Sequence, residues 1–339
     1  MNHTQFFQAV KQGNYPLVCL MEGPEEYIKQ SALDRLEKAL LPAGLEALNE
    51  SILENPEADA VIAAVETLPF MAERRLVIVK ESGLLTGKMK DEQENAQKLC
   101  QYLEHLPDTV CLVFYVRGKA DGRKKLYTAL KKRQAIVSFD ALSDQELTRW
   151  IIQTLKGFGK TMTPDTAQQL AFTVGHDTAL LKSELEKLAA HAGDREAVLP
   201  EDIAQVAVKS VECTVFEMVD ALVAGKSAQA FTLLENLLHT GGERVGILAM
   251  IQRQYRILYH LKAMAASRVT PGQMASSLGI PPFAVTRSQR QAQNYTLEEL
   301  KAAMDLCIDT DYRIKSGQLN QEGAVEKVML TLMAARKKK

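Results

Sequence analysis

The turn after the first strand-like run is where an α/β protein typically carries phosphate chemistry. In nucleotide-binding domains, glycines in this turn let backbone N–H groups approach the phosphates, and a Lys and a Ser or Thr reach phosphate and Mg²⁺. Here residues 22–27 read Glu-Gly-Pro-Glu-Glu-Tyr, with one glycine and no Gly-Lys-Ser/Thr. Pro24 lacks an N–H, and the carboxylates would repel a polyphosphate. The sequence therefore predicts no ATP binding of the usual kind and no cofactor.

The histidines and cysteines carry no pattern that indicates a metal centre or a nucleophile. None of the six histidines stands at ligand spacing from another His or a Cys, and the five cysteines are scattered without a C-x-x-C pair. We therefore predict no metal site and no catalytic residue, and we expect reduced, mostly buried thiols, as in cytosolic proteins. An enzyme with an unrecognised site in the strand-rich part of the chain stays open as an alternative.

A cluster of cations follows the fourth strand-like run, at Arg117, Lys119, Arg123 and Lys124. The carboxyl ends of strands are where open α/β sheets receive ligands, so this cluster is a candidate contact for the phosphate backbone of DNA. The alternative is that these cations, like the basic run at 131–133, complement helix ends and keep the surface solvated. The sequence leaves both interpretations open.

Residues 270–293 offer a second route to nucleic acid, because they have the pattern of a helix-turn-helix with Gly279 in the turn. The candidate second helix carries Arg287, Arg290 and three glutamines, residue types that can read base edges. A DNA-binding regulator is therefore an alternative function. The competing interpretation is a helical hairpin packed inside a long apolar helical array.

Two large apolar side chains, Phe70 and Met71, precede the β-branched run 76–79 and stand beside Pro69 and three charged residues. Such side chains at the rim of a sheet are candidates for an exposed anchor on a partner protein. The other interpretation is that they cap the core beneath the strand, as apolar residues near strands usually do.

The overall composition sets the frame for these sites. The 339 residues are enough for two or three domains, and 46% apolar with 24% charged residues is typical of globular proteins. A net charge of −1 creates no global attraction to nucleic acid or to an anionic membrane. No apolar run approaches the length that spans a bilayer, so no membrane partner is expected.

The first part of the chain alternates strand-like and helix-like segments, which predicts a parallel sheet covered by helices on both faces. The predicted strands are 17–21, 50–53, 76–79, 110–116 and 135–139, and the predicted helices are 26–41, 59–66, 91–105 and 124–132.

After residue 139 the strand signal stops and helix-capping signals take over. Ser143 with Glu146 has the pattern of a capping box, and further helix starts are predicted at Thr163, Asp177 and Pro200. The fold class is therefore α/β plus all-α, with predicted domains at 1–140, 141–210 and 211–339. The last residues, 336–339, form a basic tail that is expected to fray.

Four stretches, taken together and in order, are similar to a known family. They are LVCLMEGPEEY at 17–27, LPFMAERRLVIV at 68–79, KADGRKKLYTALKK at 119–132, and a C-terminal set at 250–258, 281–296 and 309–318. In these stretches the chain resembles the delta subunits of bacterial DNA polymerase III clamp loaders. The resemblance implies a degenerate AAA+ sheet domain, a small helical lid domain and a C-terminal helical collar domain. It also implies that the helix-turn-helix pattern reflects packing within the collar.

The resemblance also implies a function and partners. Such a subunit binds the ring-shaped sliding clamp (the beta subunit) and opens one ring interface for loading onto primed DNA, without binding ATP itself. Its partners are the tau/gamma and delta prime subunits in a hetero-pentamer. It has no catalytic site of its own, although it is part of a cytoplasmic DNA-directed DNA polymerase, a nucleotidyltransferase. The clamp-binding residues implied here are Leu68, Phe70 and Met71, which we expect to be exposed.

Overall fold

Two compact units make up the chain, Met1–Leu142 and Ser143–Lys339. The computed structural model describes residues 1–87, 91–265, 269–280 and 282–336. The predicted boundary at residue 210, inside the second unit, stays a prediction. Pro281 of the predicted helix-turn-helix and residues 337–339 of the basic tail lie outside the described residues.

A five-stranded parallel sheet forms the centre of the first unit, with strand order β2-β3-β4-β1-β5. The side chains of the central strand β4 are buried along its whole length, and those of its neighbour β3 are buried from Leu76 to Val79. Burial on both faces explains why these strands read as apolar runs rather than as alternating patterns. The strands are β1 (Val18–Glu22), β2 (Glu50–Glu54), β3 (Arg75–Lys80), β4 (Val110–Tyr115) and β5 (Ile136–Ser138).

Helices connect the strands, and the predicted parallel arrangement is confirmed. They are α1 (His3–Lys11), α2 (Glu26–Leu40), α3 (Glu46–Asn49), α4 (Ala58–Glu66), α5 (Gly83–Thr86), α6 (Glu92–Tyr102), a 3-10 turn at Leu103–His105, and α7 (Lys125–Lys132). Sequence reasoning missed α1, although Asn2 and Gln5 form a capping box at its start. The helix buries Phe6 and Val10, which stand four residues apart and share one face.

In the second unit every regular element within the described residues is a helix, as the capping signals predicted. The helices are α8 (Asp144–Gly157), α9 (Pro164–Val174), α10 (Thr178–Ala192), α11 (Pro200–Val206), α12 (Val211–Val223), α13 (Ser227–His239), α14 (Arg244–Met264), α15 (Pro271–Leu278), α16 (Pro282–Gln293), α17 (Leu297–Lys315) and α18 (Ala324–Arg336). The capping box at Ser143 forms, since the Glu146 N–H donates to Ser143 Oγ (3.4 Å) and the Ser143 N–H donates to Glu146 Oε2 (3.0 Å).

One apolar core joins α12, α13, α14, α16, α17 and α18, and a second, smaller one joins α14, α15 and α16. Tyr255 of α14 is fully buried in the larger core, and its ring meets that of Tyr295 edge-on at 5.8 Å. The two hydroxyls lie 3.2 Å apart, so the polar ends of both side chains are hydrogen-bonded inside the core. The parallel sheet of the first unit and the helices of the second confirm the predicted α/β plus all-α fold class.

Replacing Phe114, which is fully buried on β4, by alanine should lower the free energy of unfolding by about 3–5 kcal/mol, because a cavity replaces the ring. Ile52→Ala, on the edge strand β2 where the side chain is half exposed, should lower it by only about 0.5 kcal/mol. Urea denaturation followed by circular dichroism measures both losses. Equal losses would contradict the assignment of β4 to the centre of the core.

Candidate functional site

Three backbone N–H groups of the turn after β1 already donate hydrogen bonds to carbonyl oxygens of the protein. The Gly23 N–H donates to Gly118 O (2.6 Å), the Glu25 N–H to Phe139 O (3.1 Å) and the Glu26 N–H to Pro24 O (2.9 Å). Pro24 has no N–H to offer. Gly23 is required here by close packing, because a Cβ at this position would lie 2.2 Å from Phe139 O. The donors that would cradle a phosphate are thus engaged within the protein.

A buried ammonium fills the space beside this turn. Lys29 of α2 is fully buried, and its Nζ donates to Gly23 O (2.9 Å), Val116 O (2.7 Å) and Glu26 Oε1 (2.6 Å). Its Nζ also lies 4.9 Å from the centre of the Tyr115 ring. Three donors therefore meet three acceptors, which makes burial of this charge tolerable.

Sequence reasoning missed Lys29, although a signal was present. Lys29 stands four residues before Leu33 and seven before Leu36, and both leucines are buried on α2. This spacing puts the lysine on the apolar face of its helix. A cation on such a face indicates a buried partner. Gly23 and Glu26 are near in sequence, but Val116, which directly follows β4, is 87 positions away.

Two carboxylates, Glu22 and Glu26, lie at the same edge of the sheet as Lys29, the carboxyl edge, where the parallel strands end. Glu26 accepts a hydrogen bond from the Tyr115 hydroxyl (3.0 Å), and Glu22 accepts from the Ala120 N–H (2.9 Å) and the Tyr127 hydroxyl (3.3 Å). Burial, followed by the charge of Glu26, raises the pKa of Tyr115 far above its usual value, so this phenol stays protonated and donates. The carboxyl edge of the sheet is therefore occupied by the protein's own charges.

Three of the four cations proposed as DNA contacts are paired with carboxylates. The pairs are Lys119–Asp140 (2.9 Å), Arg123–Asp121 (2.8 Å) and Lys124–Glu92 (2.7 Å). Lys124 also donates to Gly87 O (2.5 Å). For Arg117, within the part of the chain that the structure describes, no side-chain ion pair is present. The cluster therefore carries less free positive charge than the sequence suggested.

Two of the candidate base-reading side chains of the predicted helix-turn-helix, Arg287 and Gln291, are engaged in helix packing. Arg287 of α16 pairs with Asp220 of α12 (3.1 Å) and lies over the Phe216 ring, 4.7 Å from its centre. Gln291 donates to Asp220 and accepts from Gln254 (2.8 Å). These groups would have to leave their partners to read base edges, so the hairpin interpretation fits better than the DNA reader.

Neither the potential metal ligands nor the cysteines form a candidate reactive site in the described ranges. No group of three or more His, Cys, Asp or Glu residues in them could hold a metal ion. All five cysteines are free, and four of them are buried, as predicted. Burial raises the pKa of Cys111 to about 12, and likewise that of Cys307, which keeps these thiols protonated and unreactive.

The loop between α4 and β3 presents large apolar side chains to solvent. Leu68 and Met71 are each 78% exposed and Phe70 is 53% exposed. The expectation of exposure is confirmed, and the interpretation of Phe70 and Met71 as a cap on the core is wrong. Because this loop precedes β3, it lies at the amino edge of the sheet, opposite the turn that follows β1.

The exposed loop is nevertheless held firmly. The Phe70 N–H donates to Asn49 Oδ1 (2.7 Å), and Asn49 Nδ2 donates to Phe70 O (3.0 Å). Arg74 donates to Tyr15 O (3.2 Å), and Arg75 donates to Leu48 O (2.7 Å). Sequence reasoning missed Asn49, because no local pattern connects it to a residue 21 positions away.

Comparison with known proteins identifies the family. A model described as DNA polymerase III, delta subunit matches residues 20–140, and one described as DNA polymerase III delta subunit, C-terminal domain matches residues 212–332. The DNA polymerase III subunit delta of Bacillus subtilis (strain 168) is 31% identical to this chain, over 98% of this chain and 97% of the relative. The chain belongs to the DNA polymerase III delta subunit family.

Further relatives agree with this assignment. The DNA polymerase III subunit delta of Escherichia coli (strain K12) is 25% identical, over 73% of this chain and 71% of the relative. The solved structure of the Bacillus subtilis DNA clamp loader delta protein matches with a TM-score of 0.58 and 29% identity, over 98% of this chain and 99% of that one. The first unit is therefore an AAA+-like sheet domain, followed by the C-terminal helical domain of the family.

Membership of this family makes the chain a clamp-loader delta subunit, which associates with other clamp-loader subunits. In the described ranges, none of the helices has both the length and the apolar character needed to cross a membrane.

Lys29→Met should lower the free energy of unfolding by about 3 kcal/mol, because it leaves two buried carbonyls and one carboxylate oxygen without their donor. Lys38→Met, near the end of the same helix, is the matched control and should change stability by about 0.5 kcal/mol or less. Urea denaturation measures both variants. If the Lys29 variant were as stable as the control variant, the ammonium would not hold the turn in place.

Proposed function

We propose that this delta subunit binds the ring-shaped sliding clamp, the beta subunit, through Leu68, Phe70 and Met71, and holds one ring interface open. The exposure of these three side chains on a firmly held loop is the observation that carries the proposal. The resemblance to the family supports the proposal, since it implies clamp-binding residues shortly before the third strand. An exposed apolar group on a rigid platform is suited to a pocket on a partner.

The expected energy of this contact is sufficient for a mechanical role. Burying Phe70 and Met71 in a pocket would contribute roughly 1.5–3 kcal/mol for each side chain. A contact of this size biases the ring toward an open form only if the open ring is bound more tightly than the closed ring. The proposed work of the subunit is therefore differential binding, and it needs no reaction in this chain.

The turn after β1, where nucleotide-binding domains hold phosphate, supports the proposal that this subunit does not itself bind ATP. Its backbone donors are engaged, and Lys29 and Glu26 occupy the adjoining space with internal bonds. The clamp loop lies at the opposite edge of the sheet, so clamp binding does not depend on a ligand at that turn. ATP-driven changes in the assembly then come from partner subunits.

DNA contact is a smaller part of the proposal. Primed DNA is the substrate of the assembly, and Arg117 is the proposed cation that is left without a carboxylate partner in the described ranges. We expect Lys119, Arg123 and Lys124 to contribute less, because each would have to exchange a carboxylate for a phosphate.

Nucleotidyl transfer belongs to other subunits of the polymerase. Since bacterial chromosomes are copied in the cytoplasm, we propose that location.

The double variant Phe70→Ala/Met71→Ala should bind the sliding clamp of the same organism about 100-fold more weakly or worse, because two anchors are lost. Surface plasmon resonance with immobilised clamp gives the affinity, and circular dichroism checks the fold. Leu180→Ala/Leu330→Ala, which removes two similarly exposed residues of the second unit, is the control and should bind normally. Clamp binding by the first variant at wild-type strength would refute the site.

The isolated chain should show no saturable binding of ATP with Mg²⁺ in isothermal titration calorimetry, because the N–H groups of Gly23, Glu25 and Glu26 are already bonded within the protein. Its affinity for the clamp should also be the same with and without ATP. The ATP-binding subunit of the same loader is the positive control. Binding of ATP that is lost in the Lys29→Met variant would contradict the proposal and make Lys29 a phosphate ligand.

A further inference from the structure

We propose that Asn49 is the positioning residue of the clamp-binding loop, and that it sets the affinity for the clamp without touching it. This inference rests on the proposed function. Asn49 is the last residue of α3 and is fully buried, whereas Phe70, the residue it holds, is half exposed. The side chain therefore works from inside the protein on a loop that faces solvent.

Asn49 holds the backbone of Phe70 through two hydrogen bonds, one to each of its polar groups. The amide oxygen of Asn49 accepts from the Phe70 N–H (2.7 Å), and its amide nitrogen donates to Phe70 O (3.0 Å) and to Leu45 O (3.1 Å). The side-chain amide thus pairs with both polar groups of the Phe70 backbone. Because Cα of Phe70 lies between these two groups, the direction in which its side chain leaves the backbone is fixed.

The backbone conformation of Met71, the residue after Phe70, shows that the loop needs support. Met71 has a φ of +50°, in the left-handed region that non-glycine residues seldom occupy. A loop free to relax would leave this conformation, which carries a strain penalty. The Asn49 bonds on one side, and the Arg74 and Arg75 bonds on the other, hold both ends of the turn that points Phe70 and Met71 outward.

Preorganisation of this kind acts on binding affinity. A loop that is already in its bound shape loses little conformational freedom when the clamp binds, whereas a loose loop must be ordered at that moment. Replacing Asn49 by alanine should therefore weaken clamp binding by about tenfold, with Phe70 and Met71 both still present. The sheet should keep its fold, since Asn49 lies at its amino edge and outside the strands.

The experiment compares Asn49→Ala with Asn55→Ala by surface plasmon resonance on the immobilised clamp. Asn55, an exposed asparagine at the other end of the sheet, is the control for loss of a side-chain acceptor, because its side chain also accepts a backbone N–H, that of Gly83 (2.7 Å). We expect the Asn49 variant to bind about tenfold more weakly and the Asn55 variant to bind as the wild type does. Where Asn49→Ala does not fold, Asn49→Ser replaces it, since its shorter, neutral side chain keeps one hydrogen-bonding group but cannot make all three bonds of Asn49.

Two further readouts separate positioning from general stability. Hydrogen exchange should rise at the amides of Phe70 and Met71 in the Asn49 variant, while the amides of β3 and β4 stay protected. The effect of Asn49→Ala on affinity should also shrink in a Phe70→Ala background, because the side chain that it orients is absent. A merely structural role would produce the same loss in both backgrounds.

The outcomes distinguish this inference from the function on which it rests. If Phe70→Ala/Met71→Ala binds the clamp normally, the proposed function fails. If that double variant loses binding but Asn49→Ala binds with wild-type affinity, the function stands and the positioning role is overturned. A tenfold loss in the Asn49 variant, faster exchange confined to the loop and coupling to Phe70 together support the proposal.

Discussion

The three central strands of the parallel sheet, β3, β4 and β1, are buried on both faces, and this constraint decides where the first unit can act. Strands β3 and β4 give nearly all their side chains to the core, so the faces of the sheet offer nothing to a partner. Apart from the partly exposed edge strand β2, the surfaces at the two ends of the strands remain. The carboxyl edge is closed by Lys29 and its acceptors, and the amino edge carries the exposed loop around Phe70. The division of roles follows from the architecture of the sheet.

The two edges use the same physical device, a buried polar side chain that satisfies backbone groups of a turn. At the carboxyl edge, the ammonium of Lys29 binds the carbonyls of Gly23 and Val116. At the amino edge, the amide of Asn49 binds both polar groups of Phe70. The outcome differs because of what surrounds each turn. Glutamates and a folded loop cover the first turn, whereas the second leaves its apolar side chains in solvent.

Most of the fold could be predicted from the sequence, because its signals are local. Strand bounds agree to within one or two residues, and the capping residues Ser143, Thr163 and Asp177 begin the helices that they predicted. Helix α1 was missed because a polar start masked its short apolar face. The charge of the cluster at 117–124 was overestimated, since its partners Asp140 and Glu92 are brought close only by folding.

The sequence by itself determined most of the elements, the absence of a phosphate-loop motif and the family to which the chain belongs, since each depends on residue types at short spacing or on their order. Only the tertiary structure decided that Phe70 and Met71 face solvent, that Lys29 is buried with three acceptors, and that Asn49 holds the loop. These facts depend on the folded packing, which includes contacts between residues far apart in the chain, such as Lys29 with Val116 and Asn49 with Phe70. Hydropathy ranks a side chain as apolar or charged, but the packing around it decides whether it is covered.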